Sequence, residues 1–430
     1  MRSIHYICCS RIIGGNKEMG KKVVLVWFRN DLRLHDNEIL VEALNKSDLI
    51  IPVYCFDPRY FKINKFQQKN TGILRASFVL ESVAHLKEKL QSMQSDLMTF
   101  VGYPEEILPQ LCAKYEVDEV YHHREVAFRE TMISELVESA LWENKINLRH
   151  FIGHTLYHKE DLPFPIKDIP NKFNVFRKKV ERESMVRKPI ASPSKIASPQ
   201  HLEPTLLPSL SDLGYSEAEI AQTKGKTFEG GEDKGTQKLQ QLLDPHYNDF
   251  QNFTLISHYI SVGALSPIYV YDEMIKSSLN QNKKRFDRLL TALLWRDYFR
   301  FMLKKYPNVF FQANGLHEEK HFSEELDSEA IRKWMNANTG EELIDESMGQ
   351  LLRNGNLTYM NRRLLATYFM QEVSNNWLLG ASFFEEHLLD YNPASNYGYW
   401  SHIAGVGTSD KENTSSSWHE LAKKLETQKA

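Results

Sequence analysis

The sequence predicts two domains of different class: an α/β domain with a doubly wound parallel sheet and an all-α domain, joined by a long linker. Up to Gly153, apolar segments of strand length alternate with helical patterns, which is typical of parallel strands joined by crossover helices. From Pro163 to Pro208, prolines recur and interrupt regular structure. Beyond Gly235 the strand pattern ends and only helical spacing remains.

The first strand is the clearest element of the α/β domain. Residues Val23–Phe28 form a continuous apolar run, as expected for a strand buried on both faces. Residues 71–93 predict a long amphipathic helix, because apolar side chains recur there at helical spacing. Further strands are predicted at 49–56, 97–101, 119–122 and 148–152, with a short helix at 38–45 and helices between the later strands.

The strongest helical pattern of the second half covers residues 286–306, where Leu290, Leu294 and Tyr298 lie on one side. Further helices are predicted at 328–336, 344–353, 362–374 and 380–388, and a short basic helix in the linker at 174–187. We expect Met19, directly before the first strand, to be the natural start. The predicted units are a leader or extension at 1–20, the α/β domain at 21–153, the linker at 154–235, the helical domain at 236–409 and a tail at 410–430.

The composition is that of a globular protein, with 42% hydrophobic and 25% charged residues among 430. Four cysteines without a CxxC pair exclude a disulfide scaffold and give no zinc signal. No apolar run approaches the roughly 18 residues of a membrane span, so we expect a cytoplasmic, monomeric protein. The His122–His123 and His154/His158 pairs lack carboxylate or Cys partners and are expected to be surface residues, so no metal is predicted.

Several segments, in order along the chain, resemble motifs of the cryptochrome/photolyase superfamily and of its DASH-type branch. The loop from Trp27 to Asn37 would by itself fit a structural network of Arg29, Asp31, Arg33 and Asp36. Together the segments cover nearly the whole chain from Val23 to Thr408. They are Trp27 to Asn37, Thr155 to Pro165, Phe228 to Glu232, Leu294 to Arg300, and Asp390 to Trp400 continued by Ala404 to Gly407.

The resemblance implies a FAD in the helical domain, bound by Tyr247, Thr254, Ser257, Arg296, Arg362, Asp390, Asn392 and Asn396. Hydroxyls and a helix N-terminus suit a pyrophosphate, although N-capping by Thr254 and Ser257 is an equal explanation from the residues alone. By resemblance Asn396 faces the flavin N5 atom in a flavin-facing loop, and Arg362 pairs with Asp390. Loop capping is the plain alternative for Asp390 and Asn396, and Arg363 is an alternative register for Arg362.

Of the seven tryptophans, Trp295, Trp334, Trp377, Trp400 and Trp418 fall late in the chain. A lone Trp is normally a core residue, but Trp400 and Trp377 match the family's electron-transfer chain to the flavin. The outermost position of that chain is Glu324, so light-driven reduction needs a Tyr or another donor. With Asn396 and the lesion-stacking Trp295, these two tryptophans form the predicted catalytic set.

The substrate side departs from the family pattern. Ala292 stands where the repair enzymes carry a Glu that bonds the pyrimidine dimer. Asn356 and Tyr359 replace a Trp and an Asn of the pocket, and His402 replaces a stacking aromatic residue. Without the resemblance, His402 would be an ordinary loop histidine; facing the pocket, it would be a proton donor.

Two functions follow as expectations. The first is a FAD-dependent, light-driven DNA photolyase that acts on pyrimidine dimers in lesion-containing or single-stranded DNA. The alternative is a cryptochrome-like photoreceptor that binds FAD and DNA without repair. A net charge of -3 leaves DNA contact to local basic patches such as Lys283 to Arg288 and Arg177 to Arg182. A folate-type antenna is expected near Glu125, if that site is filled.

Overall fold

The computed structural model describes residues 20–247, 253–278, 282–317, 321–408 and 417–429. The predicted leader lies almost wholly outside these ranges, and so does the first part of the predicted tail. The described chain forms a five-stranded sheet followed by helices. The predicted fold class, α/β followed by all-α, is therefore confirmed.

The sheet is parallel throughout and has the strand order β3-β2-β1-β4-β5. Its first strand, β1, lies at the centre and is buried along its whole length. The order reverses between β1 and β4, which makes that edge the topological switch point of a doubly wound sheet. The elements are β1 (Val23–Phe28), α1 (Glu38–Lys46), β2 (Leu49–Phe56), α2 (Ile73–Ser92), β3 (Met98–Val101), α3 (Pro104–Lys114), β4 (Glu119–His123), α4 (Phe128–Trp142) and β5 (Asn147–Phe151).

The linker carries two short helices, and helices alone make up the described part of the second domain. One of these helices begins at Glu232, inside the predicted linker. The elements are α5 (Phe173–Glu183), α6 (Glu217–Ala221), α7 (Glu232–Leu243), α8 (Thr254–Ser261), α9 (Pro267–Lys276), α10 (Lys283–Lys305), α11 (Glu329–Met335), α12 (Glu342–Asn354), α13 (Tyr359–Tyr368), a π-helical turn (Phe369–Val373), α14 (Trp377–His387), α15 (Pro393–Ile403) and α16 (Trp418–Lys429).

The expected flavin-facing loop is mostly helix α15. Asn392 is its N-cap, and the Asn392 side chain accepts a hydrogen bond from the Ser395 N–H at 3.2 Å. Pro393 follows at the first helical position, where its missing N–H costs nothing. A run rich in Asn, Pro and Gly therefore starts a helix here, and its side chains are fixed by helical geometry.

The helical domain docks on the carboxyl edge of the sheet through the charged loop after β1. The Leu32 N–H donates to the Val262 carbonyl at 3.2 Å, and Arg33 donates to the Gly263 carbonyl at 2.9 Å. Gly263 has a φ of +71°, and a Cβ there would lie 1.8 Å from the Asn30 carbonyl oxygen. Only glycine allows this approach of the two backbones.

Charged side chains at this joint pair with residues that are distant in the chain, and not only with one another within the loop after β1. Asp31 contacts His123 at 2.6 Å, and both side chains are fully buried. Glu125 accepts from Asn30 at 3.0 Å and from Arg300 at 3.1 Å. The expectation of surface histidines is wrong for His122, His123 and His154, which are buried. The network thus holds the domains together, and Glu125 is part of it.

Candidate cofactor site in the helical domain

Two helices of the helical domain, α8 and α13, converge on Asp390 in the turn between α14 and α15. Arg362 of α13 donates to both carboxylate oxygens, at 2.8 and 2.7 Å. Ser257 of α8 donates its hydroxyl to the same carboxylate at 2.6 Å, and Ser261 donates to the Asp390 carbonyl at 2.8 Å. The structure thus brings together three predicted cofactor residues, with Arg362 in the predicted register. Charge-assisted bonds of this kind fix geometry.

The N-terminus of α8 adjoins this cluster, and within the described residues its N-cap residue makes no side-chain capping bond. The N-cap position is Phe253, and Thr254 is the first helical residue. Capping of α8 by Thr254 or Ser257 is therefore not what the structure shows. An uncapped helix N-terminus offers backbone N–H groups and a partial positive charge, which suit the diphosphate of a dinucleotide. Tyr247 packs against the core nearby, and the segment between it and Phe253 lies outside the described residues.

The two asparagines of the site lie on α15. Asn392 caps the helix, and Asn396 is buried and donates from its amide to the Ala381 carbonyl of α14 at 2.9 Å. This bond fixes the orientation of the Asn396 side chain before any ligand binds. A protein controls a redox cofactor through polar side chains whose orientation is already fixed.

Arg296, predicted as a further cofactor-binding residue, is not brought into the Asp390 cluster, and its contact with a cofactor stays a prediction. Its guanidinium donates to the His154 carbonyl and, at 3.3 Å, to the Ile260 carbonyl, behind α8 and towards the α/β domain. Burial, helped by the neighbouring Arg300, lowers the pKa of Arg296 to about 10. Trp295 precedes Arg296 on α10, but the Arg296 side chain lies at the domain joint, where the His154 and Ile260 carbonyls accept its hydrogen bonds.

The two predicted electron-transfer tryptophans are both fully buried and adjacent to the asparagine. Trp400 lies one turn after Asn396 on α15. Gly380, one turn after Trp377 on α14, lies against Trp400, where a Cβ would come 2.4 Å from the indole. The Trp377 indole donates to the Ala313 carbonyl at 2.9 Å. Asn396, Trp400 and Trp377 thus lie buried on two helices that pack against each other.

The predicted outer position adds no aromatic ring to these residues. Glu324 is exposed, and its loop is tied to the start of α14 by a 2.7 Å bond from the Ser323 N–H to Asn375. The ring that packs against Trp377 is Tyr397, with centroids 6.4 Å apart. Sequence reasoning missed Tyr397, although it directly follows Asn396 in the motif.

The predicted lesion-stacking residue, Trp295, is partly covered by this chain. Phe173, the first residue of α5, stacks on Trp295 with centroids 3.7 Å apart and rings 10° from parallel. Ala292, one turn earlier on α10, provides no carboxylate. Tyr359 is 61% exposed and meets Tyr399 edge to face at 6.0 Å. The pocket surface is therefore aromatic but uncharged at position 292.

His402 lies half-buried on α15, beyond Trp400. Burial, with the charge of Arg363, lowers the pKa of His402 from its ordinary value. The imidazole is therefore held more firmly in its neutral form. This weakens the expected role of His402 as a proton donor at neutral pH.

A cavity of about 710 Å³ lies between the α/β domain and the helical domain. Its walls combine cations, aromatic rings and two carboxylates. They include Arg59, Lys62, Lys65, Phe66, Phe128, Arg129, Glu130, Phe311, Glu385, Tyr391 and Tyr397. A smaller cavity of about 120 Å³ lies at the carboxyl edge of β1 and β2. Glu125, the expected folate contact, lines neither cavity.

Comparison with known protein families gives two matches that follow the domain order. The DNA photolyase pattern matches residues 24–194, and the pattern of the FAD binding domain of DNA photolyase matches residues 289–427. The second match contains Arg362, Asp390 and Asn396. The chain is also 36% identical to a cryptochrome DASH of Gloeobacter violaceus over 402 residues, which are 90% of this chain and 80% of the relative.

Solved structures give the same result. A cryptochrome from Synechocystis superposes with a TM-score of 0.82 at 31% identity, covering 91% of this chain and 83% of its own. A photolyase from Sulfolobus tokodaii, solved with two FAD molecules, superposes with a TM-score of 0.72 at 24% identity, covering 90% and 84%. The latter likeness is one of fold alone.

Proposed function

The chain belongs to the DNA photolyase family, which includes the DASH cryptochromes, and we propose that it is a blue-light flavoprotein whose flavin acts by light-driven electron transfer to pyrimidine dimers in DNA. The observation that carries the proposal is the convergence of Arg362, Asp390 and Ser257 beside the uncapped N-terminus of α8. When bound, FAD supplies light absorption and one-electron chemistry.

The residues of this chain have separable tasks in the proposal. Ser257 and the first turn of α8 hold the diphosphate, and Arg362 and Asp390 hold the flavin end. Asn396, fixed by its bond to the Ala381 carbonyl, would offer its amide group to the flavin ring. Trp400 and Trp377 conduct electrons towards the flavin through the dry interior.

DNA contact rests on local features in this proposal. Arg285 donates to the backbone carbonyls of Leu242 and Asp244, and Arg177 bonds to Thr291, so neither is a simple surface cation. Exposed cations remain in these two patches, and they are Lys178, Lys179, Arg182, Lys283 and Lys284. Exposed Tyr359 offers a ring on which a base of lesion-containing or single-stranded DNA stacks.

We propose that the expected folate-type antenna binds in the interdomain cavity. Its volume of about 710 Å³ suits a small aromatic ligand. Lys62, Lys65 and Arg59 suit the carboxylates of a folate, and Phe66 and Phe128 suit its rings. The cavity faces α15, so excitation energy would pass over a short distance. The monomeric state and the cytoplasmic location stay predictions; in the described ranges no helix has both the length and the apolarity to cross a membrane.

A cryptochrome-like photoreceptor without repair activity is the second candidate. Ala292 in place of a carboxylate and the cover of Phe173 over Trp295 favour it. The two functions separate when the purified protein is illuminated with a reductant and dimer-containing single- and double-stranded oligonucleotides. Loss of dimers supports the photolyase function. A flavin that cycles in light while the dimers persist contradicts repair and leaves the photoreceptor.

A further inference from the structure

Tyr397 connects the buried tryptophans to the interdomain cavity. It lies on α15 directly after Asn396, with its ring centroid 6.4 Å from that of Trp377 and the planes 72° apart. This is the edge-to-face geometry of two aromatic rings in contact. The other side of Tyr397 lines the cavity, and the side chain is 8% exposed.

The hydroxyl of Tyr397 has a defined proton acceptor. It donates to Oε2 of Glu385, on α14, at 2.7 Å. Glu385 is 2% exposed, and its other oxygen pairs with Arg129 of α4 at 3.1 Å. Burial, together with the Glu385 charge, raises the pKa of Tyr397 well above its ordinary value, with Arg129 opposing and Glu130 adding to this shift. The phenol therefore keeps its proton until it is oxidised, and a carboxylate is then in place to accept it.

We propose that Tyr397 is the outer electron donor of this protein and that Glu385 is its proton acceptor. The inference rests on the proposed flavin function, in which Trp400 would give an electron to a bound, photoexcited flavin and would recover one from Trp377. The Trp377 radical cation then takes one electron from Tyr397, while the phenol O–H bond breaks and its proton moves to Glu385. The products are neutral Trp377, a neutral Tyr397 radical and protonated Glu385.

The cavity completes the cycle. When no antenna occupies the cavity, a thiol that enters it supplies one electron and one proton to the Tyr397 radical, and the thiyl radicals formed combine into a disulfide. The proton on Glu385 returns to solvent through the cavity. Glu324, at the predicted outer position, offers no oxidisable ring. Tyr391 lines the same cavity, and the charge of Glu385 contributes, after burial, to raising the pKa of Tyr391. The hydroxyl that donates to the Glu385 carboxylate is nevertheless that of Tyr397.

The test is the identity of the radical formed by light in the FAD-containing protein. Samples are frozen during illumination with an added thiol and read by electron paramagnetic resonance, with transient absorption for the rate. We expect a neutral tyrosyl radical whose spectrum narrows when the protein contains ring-deuterated tyrosine. This labelled wild-type measurement needs no variant that could misfold.

The variants locate the radical. Tyr397→Phe is expected to abolish the tyrosyl signal, and the matched Tyr391→Phe to retain it. Glu385→Gln keeps a hydrogen-bond acceptor but not a carboxylate, and is expected to slow tyrosyl formation at least tenfold. A radical that stays on tryptophan in the wild type, or a tyrosyl signal that survives in Tyr397→Phe, overturns this inference and leaves the proposed flavin function standing. A protein that takes up no FAD overturns the proposed function and, with it, this inference.

Discussion

Asp390 is the residue on which the cofactor site depends, because it joins α8, α13 and the start of α15 through one carboxylate. Arg362 neutralises it and is itself about one-fifth exposed, so the pair has a side open to a ligand. Loss of either partner leaves a charge without compensation at the site. The resulting penalty falls on ligand binding more than on the fold.

We therefore predict that Arg362→Ala lowers the affinity for FAD at least tenfold. The measurement is FAD titration of the flavin-free protein followed by fluorescence. Arg332→Ala is the matched control, because it removes an Arg–carboxylate pair that is exposed and distant in the chain from the site. Equal affinity in wild type and Arg362→Ala would contradict the assignment of this cluster.

Position 292 carries a second prediction. Ala292 lies one turn before Trp295 on α10, so a Glu there would extend towards the same pocket surface. Ala292→Glu is expected to raise light-dependent loss of dimers at least tenfold, because a carboxyl group can then bond the flipped lesion. Ala292→Leu, which adds bulk without a polar group, serves as control. Equal rates in Ala292→Glu and wild type would show that this position does not limit repair.

The sequence predicted a side-chain pair where a motif names both partners. It did not predict the direction of a helical side chain that can turn two ways. Arg362 and Asp390 were predicted as a pair and form one. Arg296 belongs to an equally clear motif, yet its guanidinium turns to the domain joint. The direction of a helical side chain depends on which carbonyls lack donors, and only the folded structure shows this.

At the scale of elements, α14 and α15 pack closely enough to hold the redox residues rigid. Gly380 makes this possible, since the Trp400 indole occupies the space of its missing Cβ. The close packing brings Trp400, Trp377 and Asn396 to one interface of two helices. These two helices by themselves then hold the proposed electron-transfer residues in place.

Gly380→Ala is expected to lower the free energy of unfolding by about 1–3 kcal/mol, the usual cost of overpacking a core. The cost exceeds the roughly 1 kcal/mol that Ala gains over Gly in a helix. Gly349→Ala, in α12, is the matched control, because its Cβ meets only the end of the flexible Arg353 side chain. Chemical denaturation measures both variants. A Gly380→Ala protein as stable as Gly349→Ala would contradict the packing argument.

The sequence predicted the elements with strong hydrophobic periodicity and missed those defined by caps. Strand β1 and helix α10 were placed correctly to within a few residues. Helix α15 was expected as a loop from the resemblance, and its Asn, Pro and Gly residues lower helix propensity. Its N-cap and its packing against α10 and α14 outweigh that propensity.

At the scale of the whole molecule, the joint between the domains is polar. Glu386 of α14 accepts hydrogen bonds from the α/β domain, through its carboxylate from the Lys69 N–H at 3.0 Å and through its carbonyl from the Gly72 N–H at 2.9 Å. Burial, together with the charge of Glu219, raises the pKa of Glu386 to about 7, although Lys69 and Arg75 oppose the shift.

This shift makes a prediction about pH. The pKa of Glu386 is higher in the folded than in the unfolded state, where it is about 4.3. The folded state therefore binds more protons in this range, and the Glu386 contribution to stability is present at low pH and lost as pH rises towards about 7. Glu386→Gln cannot titrate. The free energy of unfolding of wild type relative to Glu386→Gln should fall between about pH 4 and 7 and be constant above; a difference that does not vary with pH would contradict the prediction.

The order of the domains was predictable from the sequence, but their docking was not. Alternating patterns indicate a parallel sheet, whereas the charged loop after β1 has no pattern that distinguishes surface from joint. Its burial depends on His123 and Gly263, which lie far away in the chain. The interdomain cavity, and with it the surroundings of Tyr397, could for this reason be found only in the folded structure.

The proposed function requires the helical domain to bind FAD at the Arg362–Asp390 cluster. The most direct test is the absorption spectrum and FAD content of the purified protein, repeated after the flavin-free chain is incubated with FAD. We predict a yellow protein with about one FAD per chain in the helical domain. A colourless protein that takes up no FAD under either condition would contradict the account.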